Sequence, residues 1–159
     1  MTVSEFCDKY RDRCGKDCSK RIPEWYAAGY LGNATKAGKY NIPEDVPLPF
    51  YANKKVSTFP TLTRDILTAA SLGCSIFPGM YPKIREDSFE RVLQDCVDSQ
   101  YVRVCYTESG YPFLELTTNG TRFLDNYTET ERKALLIKAF SMAAQGISFV
   151  AALKSLGII

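Results

Sequence analysis

Pro43, Pro47 and Pro49 fall within seven residues of one another, in the stretch YLGNATKAGKYNIPEDVPLPF, and they limit what this 159-residue chain can build there. Proline has no N–H to donate to a strand ladder, so a strand entering this run ends at its first proline. What precedes it is short and glycine-centred. The spacing predicts a hairpin in which Leu31 and Ala34 point inward, Ala37 and Gly38 make the turn, and Tyr40 and Ile42 return to the core. Lys36 and Lys39 flank the tip, within reach of a phosphate backbone.

Two helices are expected ahead of the hairpin. TVSEFCDKYRDR opens with Thr2 or Ser4 as a cap and Glu5 at the capping-box position after Thr2. Val3, Phe6, Cys7 and Tyr10 share one helical face. After a turn at CGKDC, Ile22, Trp25 and Tyr26 recur at helical spacing, and Gly29 is a stop. Proline is tolerated in the first helical turn, so Pro23 predicts a short second helix starting near Arg21. Two helices with a tight connection and a basic hairpin after them read as a helix-turn-helix with a wing.

At this point VSEFCDKY, RIPEWYAAGYL and ATKAGKYNIPEDVPLP resemble the small winged-helix domain of excisionases and their MerR-like relatives. The residues carrying the likeness are Trp25, Gly29, Leu31, Ala34, Lys36, Gly38, Tyr40, Ile42, Pro43 and Asp45, and it covers about one third of the chain. The resemblance implies binding to double-stranded DNA, with the second helix in the major groove and the wing beside the minor groove. Ser19, Lys20, Arg21 and Glu24 would then face DNA, while Ile22 and Trp25 hold the helix to the core. The competing expectation is a winged helix that binds protein instead.

Residues 53–62 read as a polar connector, in which Lys54 and Lys55 either add phosphate contacts or keep a linker solvated. From 63 to 128 the pattern is helix, irregular segment, helix, hairpin, helix. TLTRDILTAASLG is a capped helix stopped by Gly73. REDSFERVLQDCVDSQ is amphipathic, with Phe89, Val92, Leu93, Cys96 and Val97 on one face. Val102, Val104 and Tyr106 alternate inward on a strand that turns at Glu108-Ser109-Gly110 and returns through Phe113–Leu116. LELTTNGTRFLDNY resembles the last strand and helix of winged-helix regulators, through Leu116, Thr117, Gly120 and Leu124. The helix that would read DNA here carries Glu86, Asp87, Glu90, Asp95 and Asp98 against Arg85 and Arg91. Phosphates repel such a face, so this segment is expected to contact protein. In its hairpin, Arg103 and Tyr111 remain candidate nucleic-acid contacts.

Residues 129–159 are helical and apolar, with Thr128 or Thr130 as the cap. Leu135, Leu136, Ala139, Phe140 and Ala143 lie together. Gly146 breaks the run before Ile147, Phe149, Val150, Leu153 and Leu156. These helices either cover the second winged helix or pair two copies of the chain; a symmetric dimer suits a palindromic DNA site. The expected organisation is therefore α+β: tandem winged helices at 1–52 and 63–128, a linker at 53–62, and C-terminal helices at 129–159.

Composition narrows the chemistry. Apolar content of 45% is that of a globular protein, and no apolar run approaches the ~20 residues of a membrane span. The polar N-terminus has no signal-peptide core, so the expected place is the cytoplasm of a bacterial or phage-infected cell. There is no histidine, which removes Ser-His and Cys-His nucleophile pairs. No phosphate-binding glycine motif is present. No enzyme, catalytic residue or cofactor is expected. Cys7, Cys14 and Cys18 have a C-x6-C-x3-C spacing that matches no common zinc pair; no metal is expected, and Cys7 and Cys96 read as small buried residues.

Charge is uneven. Residues 1–62 carry ten Lys and Arg against seven Asp and Glu, and residues 63–128 carry six against nine. A basic first segment and an acidic middle suggest separate tasks. One expectation is a sequence-specific DNA-binding regulator, or a recombination or transfer accessory factor of a mobile element or phage. The other is a protein-binding module that inhibits a host nucleoprotein complex such as a defence assembly, because an acidic face can occupy a basic nucleic-acid channel.

Overall fold

The computed structural model describes residues 1–14, 17–50, 59–144 and 151. The described residues form an α+β arrangement of six α-helices and two separate two-stranded antiparallel sheets. The chain divides into two compact units, Met1–Thr121 and Arg122–Ile159. Both expected winged-helix segments thus contribute to the first unit.

Helix α1, Val3–Lys9, starts with the capping box: the Glu5 N–H donates to Thr2 Oγ1 and the Thr2 N–H donates to Glu5 Oε2. One turn, α2 (Arg11–Cys14), follows, then α3, Cys18–Ala27. Phe6 and Tyr10 on one side and Cys18, Ile22 and Trp25 on the other are buried where α1 and α3 pack. Helix α3 begins at Cys18 rather than near Arg21, and Pro23 lies inside it. An interior proline costs ~3 kcal/mol or more. Here the bond it removes is to the carbonyl of Ser19, an exposed residue on the solvent side of the helix, and Pro23 is itself exposed. Burial of Ile22 and Trp25 on the opposite face, at roughly 1.5–3 kcal/mol each for large apolar side chains, holds the turn in place.

The hairpin forms as expected from β1, Thr35–Ala37, and β2, Lys39–Asn41, with Lys36 opposite Tyr40 and Ala37 opposite Lys39. Gly38 at the tip has φ +81°, the left-handed region that side-chain-bearing residues avoid. Leu31 and Ile42 anchor the base in the core. Tyr40 is half-buried rather than fully returned to it. Beyond the hairpin, Val46 to Phe50 is a buried extended strap. Ser75 donates from N to Leu48 O (3.0 Å), and Phe50 N donates to Ser75 O (2.7 Å). Prolines suit this place because they bring no N–H into a buried position with few partners.

Helix α4, Phe59–Ser71, begins inside the stretch read as a connector. It buries Leu62, Asp65, Ile66, Leu67, Ala69 and Ala70. A 3-10 turn at Pro78–Met80 leads to α5, Glu86–Asp98, which buries Phe89 and Cys96 on the expected face. Strands β3, Val102–Tyr106, and β4, Pro112–Leu116, pair antiparallel. The inward alternation expected of β3 holds only at Val102: Val104 is 38% and Tyr106 68% exposed. The cause is that α4 packs chiefly under β4, where Leu114 is buried, and leaves the outer strand half-covered.

Helix α6 spans Thr118–Ala144. Its first turn belongs to the first unit. There Thr117 Oγ1 accepts from Gly120 N (3.0 Å) as an N-cap, the Thr117 amide donates to Tyr101 O (3.0 Å), and the Thr117 hydroxyl proton is shared between Gln100 O and Tyr101 O (3.0 Å to the latter). In the second unit, Thr128 and Thr130 are interior helix residues and not caps. Their hydroxyls donate to the carbonyls of Leu124 and Asn126 (2.9 Å each), four residues back. Glu129 and Lys133 form an exposed i,i+4 ion pair. Among the described residues, no helix is long and apolar enough to cross a membrane.

Candidate nucleic-acid interface

Burial of Ile22 and Trp25 turns the other side of α3 outward. Ser19, Lys20 and Glu24 are exposed and Arg21 is half-buried. Lys20 Nζ lies 2.9 Å from Asp17 Oδ1, just before the helix, and this contact holds the Asp17 carboxyl below its usual range. Both side chains are exposed, so solvent screens the pair and leaves it weak.

The hairpin register puts Lys36 and Lys39 on opposite faces of the tip, because successive strand side chains alternate. Both are exposed. Lys36 Nζ sits 5.0 Å above the Tyr40 ring centroid, in cation–π range. The Tyr40 ring packs edge-on against Tyr26 of α3, with centroids 5.3 Å apart and planes at 67°. The hairpin is also tied at its base by a bond from Ile42 N to Met1 O (2.8 Å). Through Tyr26 and Tyr40 the exposed helix face and the basic tip become one braced element. Helical spacing and strand alternation predict core packing for both tyrosines and not this role; their signal in the sequence is an aromatic on the last turn of a helix and another one residue past a hairpin lysine.

Asp45, singled out in the sequence by its place after Ile-Pro, acts as a clamp. Its Oδ2 accepts from Ser109 N (2.8 Å) in the turn between β3 and β4. The Ser109 hydrogen bonds hold the Asp45 carboxyl below its ordinary value. Tyr10 OH donates to Val46 O (2.8 Å), and Tyr111 OH accepts from Asn33 N (3.3 Å). Tyr111, a candidate contact in the second hairpin, is thus engaged inside the first unit, with its ring against Gly32. Arg103 pairs with Glu115 across the hairpin at 3.5 Å.

The acidic helix keeps its character. Glu86, Asp87 and Glu90 are exposed on α5, as are Asp95 and Asp98. Asp87 pairs with Arg85 (3.1 Å), and Asp98 accepts from Gln94 (2.7 Å). Lys54, Lys55 and Phe149 lie outside the described residues, as do the side chains of Leu136 and Phe140 on α6.

All six cysteines are free thiols. Cys18 is buried, and burial, with the neighbouring Cys7 and Cys14 thiols adding to it, pushes its pKa strongly upward. Among the described residues, no group of three or more His, Cys, Asp or Glu is arranged to hold a metal ion. Comparison with protein-family models, curated proteins and solved structures returns no significant match.

Proposed function

We propose that this chain is a non-catalytic, sequence-specific DNA-binding protein built on tandem winged helices, with its DNA contacts concentrated in α3 and the β1–β2 hairpin. The observation that carries this reading is the braced pair of elements: an exposed polar helix face, and a tip with a lysine on each side, joined by Tyr26 and Tyr40. On this reading Lys20, Arg21, Lys36 and Lys39 fix the protein on the phosphates, and Ser19 and Glu24 meet base edges. Glu accepts from the cytosine amino group, and Ser pairs with any base. The roles that fit are transcriptional regulator, or recombination or transfer accessory factor of a mobile element or phage. A homodimer would place two such faces on a palindromic site.

The test is duplex affinity at two salt concentrations for the wild type and a Lys36→Glu/Lys39→Glu variant. Each phosphate contact contributes about 0.9 to the slope of log affinity against log salt, so the variant loses about 2 from that slope. An unchanged slope refutes the assignment of the tip.

A second reading rests on α5, whose exposed Glu86, Asp87, Glu90, Asp95 and Asp98 outnumber Arg85 and Arg91. This face suits a basic protein surface, including one that normally holds nucleic acid, and would make the chain an inhibitor of a host nucleoprotein complex. DNA binding that survives reversal of the α5 charges, and is lost on reversal of the hairpin lysines, favours the first reading.

A further inference from the structure

The β3–β4 hairpin leaves one side of β3 without a partner. Arg103 and Cys105 exchange hydrogen bonds with Glu115 and Phe113, a phase fixed by the flanking bonds from Thr107 N to Tyr111 O and from Thr117 N to Tyr101 O. The backbone groups of Val104 and Tyr106 therefore point away from β4, and among the described residues nothing pairs with them. On the other strand the outward N–H of Leu114 donates to Cys74 O (3.0 Å), so β3 is the open edge. Its exposed side chains, Val104 and Tyr106, are apolar and lie on one face of the hairpin. Sheet edges usually carry lysine, proline or a bulge that discourages further pairing. Strand β3 reads VRVCY and has neither lysine nor proline, and its register with β4 is unbroken. Its one charge, Arg103, is paired with Glu115.

We propose that this edge pairs with β3 of a second copy of the chain, antiparallel, about a two-fold axis that sets Cys105 opposite the partner's Cys105. The pairing rule and burial fix the register. Hydrogen bonds across the seam join residues whose backbone points outward, which on β3 are the even-numbered ones. Val102 is only 1% exposed, so a seam cannot run through it. The register that uses Val104 and Tyr106 alone sets Val104 opposite the partner's Tyr106, and Tyr106 opposite the partner's Val104. Each of these pairs exchanges both of its backbone hydrogen bonds and joins an aromatic to a β-branched side chain, a favourable cross-strand combination. The edge is thus complementary to itself, as a two-fold interface requires. Charge agrees: Arg103 falls opposite the partner's Thr107, so no like charges meet. At the axis the two cysteines form a non-hydrogen-bonded pair with Cα atoms ~4.5 Å apart, inside the ~4.4–6.8 Å that a disulfide spans. So short a seam falls below the ~1,200–2,000 Å² of a stable complex, and the dimer forms as concentration rises. It does not depend on the DNA reading, and it uses a surface other than the terminal helices.

Sedimentation equilibrium of the full chain under reducing conditions, from micromolar to millimolar concentration, should show a monomer–dimer equilibrium. Tyr106→Lys changes an exposed side chain and should weaken the dimer about tenfold with an unchanged Tm. Adding Val104→Glu should recover most of that loss, because the two new charges are opposite across the seam. Copper(II)-phenanthroline then tests the axis: two Cu(II) ions take the two electrons, two thiols lose their protons, and one Sγ–Sγ bond joins two chains. Trypsin releases residues 104–122, in which Cys105 is the single cysteine, and mass spectrometry should find this peptide linked to itself. A chain that stays monomeric at every concentration overturns the proposal. So does a dimer that Tyr106→Lys leaves unchanged, which would place the interface elsewhere. A double variant no tighter than Tyr106→Lys, or a cross-link confined to other cysteines, overturns the register.

Discussion

Gly120 is the position where a single methyl group is expected to do most damage. It sits in the first turn of α6, and a Cβ built there falls 2.0 Å from the Tyr101 carbonyl oxygen and 2.8 Å from Leu116 Cδ1. An ordinary contact begins near 3.4 Å, so helix and backbone must separate by about 1.4 Å. The same carbonyl accepts the Thr117 amide and, shared with Gln100 O, the Thr117 hydroxyl, each at 3.0 Å, and that separation breaks both. Two hydrogen bonds at ~1 kcal/mol each and ~1–3 kcal/mol of overpacking outweigh the ~1 kcal/mol that alanine gains over glycine in a helix. Gly120→Ala should therefore lose about 2–4 kcal/mol, roughly 10 °C in Tm. Urea unfolding followed by circular dichroism reads this as a lower midpoint at constant slope. Gly110→Ala is the comparison: its surroundings are open but its φ is +86°, so it should cost only ~1–2 kcal/mol. Stability of Gly120→Ala equal to or above the wild type would refute the close approach of α6 to Tyr101.

Three further outcomes are expected. Tyr81 OH donates to Asp65 Oδ2 at 2.9 Å, and Asp65 is buried; Tyr81→Phe should cost ~1.5–3 kcal/mol, as for a hydrogen bond to a charged group, and a loss below ~0.5 kcal/mol in urea unfolding contradicts the pairing. Burial pushes the Cys74 and Cys96 thiols up to about 11 from an ordinary 9.0. Both stay neutral in the fold while the unfolded chain ionises, so their contribution is complete below pH 9 and is lost as pH rises towards 11. For Cys74 the slope is at most ~1.4 kcal/mol per pH unit; flat urea midpoints from pH 9 to 10.5 would be inconsistent with it, and iodoacetamide at pH 8 should label half-buried Cys7 and Cys105 before Cys74 and Cys96. Finally, Tyr40→Ala should weaken DNA binding several-fold with little change in its salt slope, since it loosens the brace and removes no charge; a slope reduced by about one would mean that Tyr40 acts by holding Lys36 on a phosphate.

What the sequence made legible were the elements whose pattern and boundaries agree. The Thr2–Glu5 capping box, the Gly38 hairpin ended by Pro43, the amphipathic α5 and the β3–β4 hairpin each carry periodicity and a stop signal at both ends. Misreadings arose where a local rule met a tertiary demand. Pro23 argued for a short α3, but the buried face of Ile22 and Trp25 carries the helix across it. Pro60 made 53–62 look like a connector, although proline in a first helical turn is compatible with α4 starting at Phe59. Thr128 and Thr130 offered caps and instead bond back inside α6. Alternation pointed Val104 and Tyr106 inward without revealing that α4 lies under β4 and not β3. For the candidate interface, the exposed lysines followed from hairpin register. The Tyr26–Tyr40 brace and the Asp45–Ser109 clamp did not, because pattern within one segment carries no information about what another segment brings against it.

The most direct measurement is selection from a pool of random duplex DNA by the full chain at two salt concentrations, with the bound fraction sequenced. The account predicts an enriched motif, binding that falls steeply as salt rises, and loss of the enriched motif in Lys36→Glu/Lys39→Glu. A bound fraction with no enriched sequence, or no DNA retained at the lower salt, would contradict it.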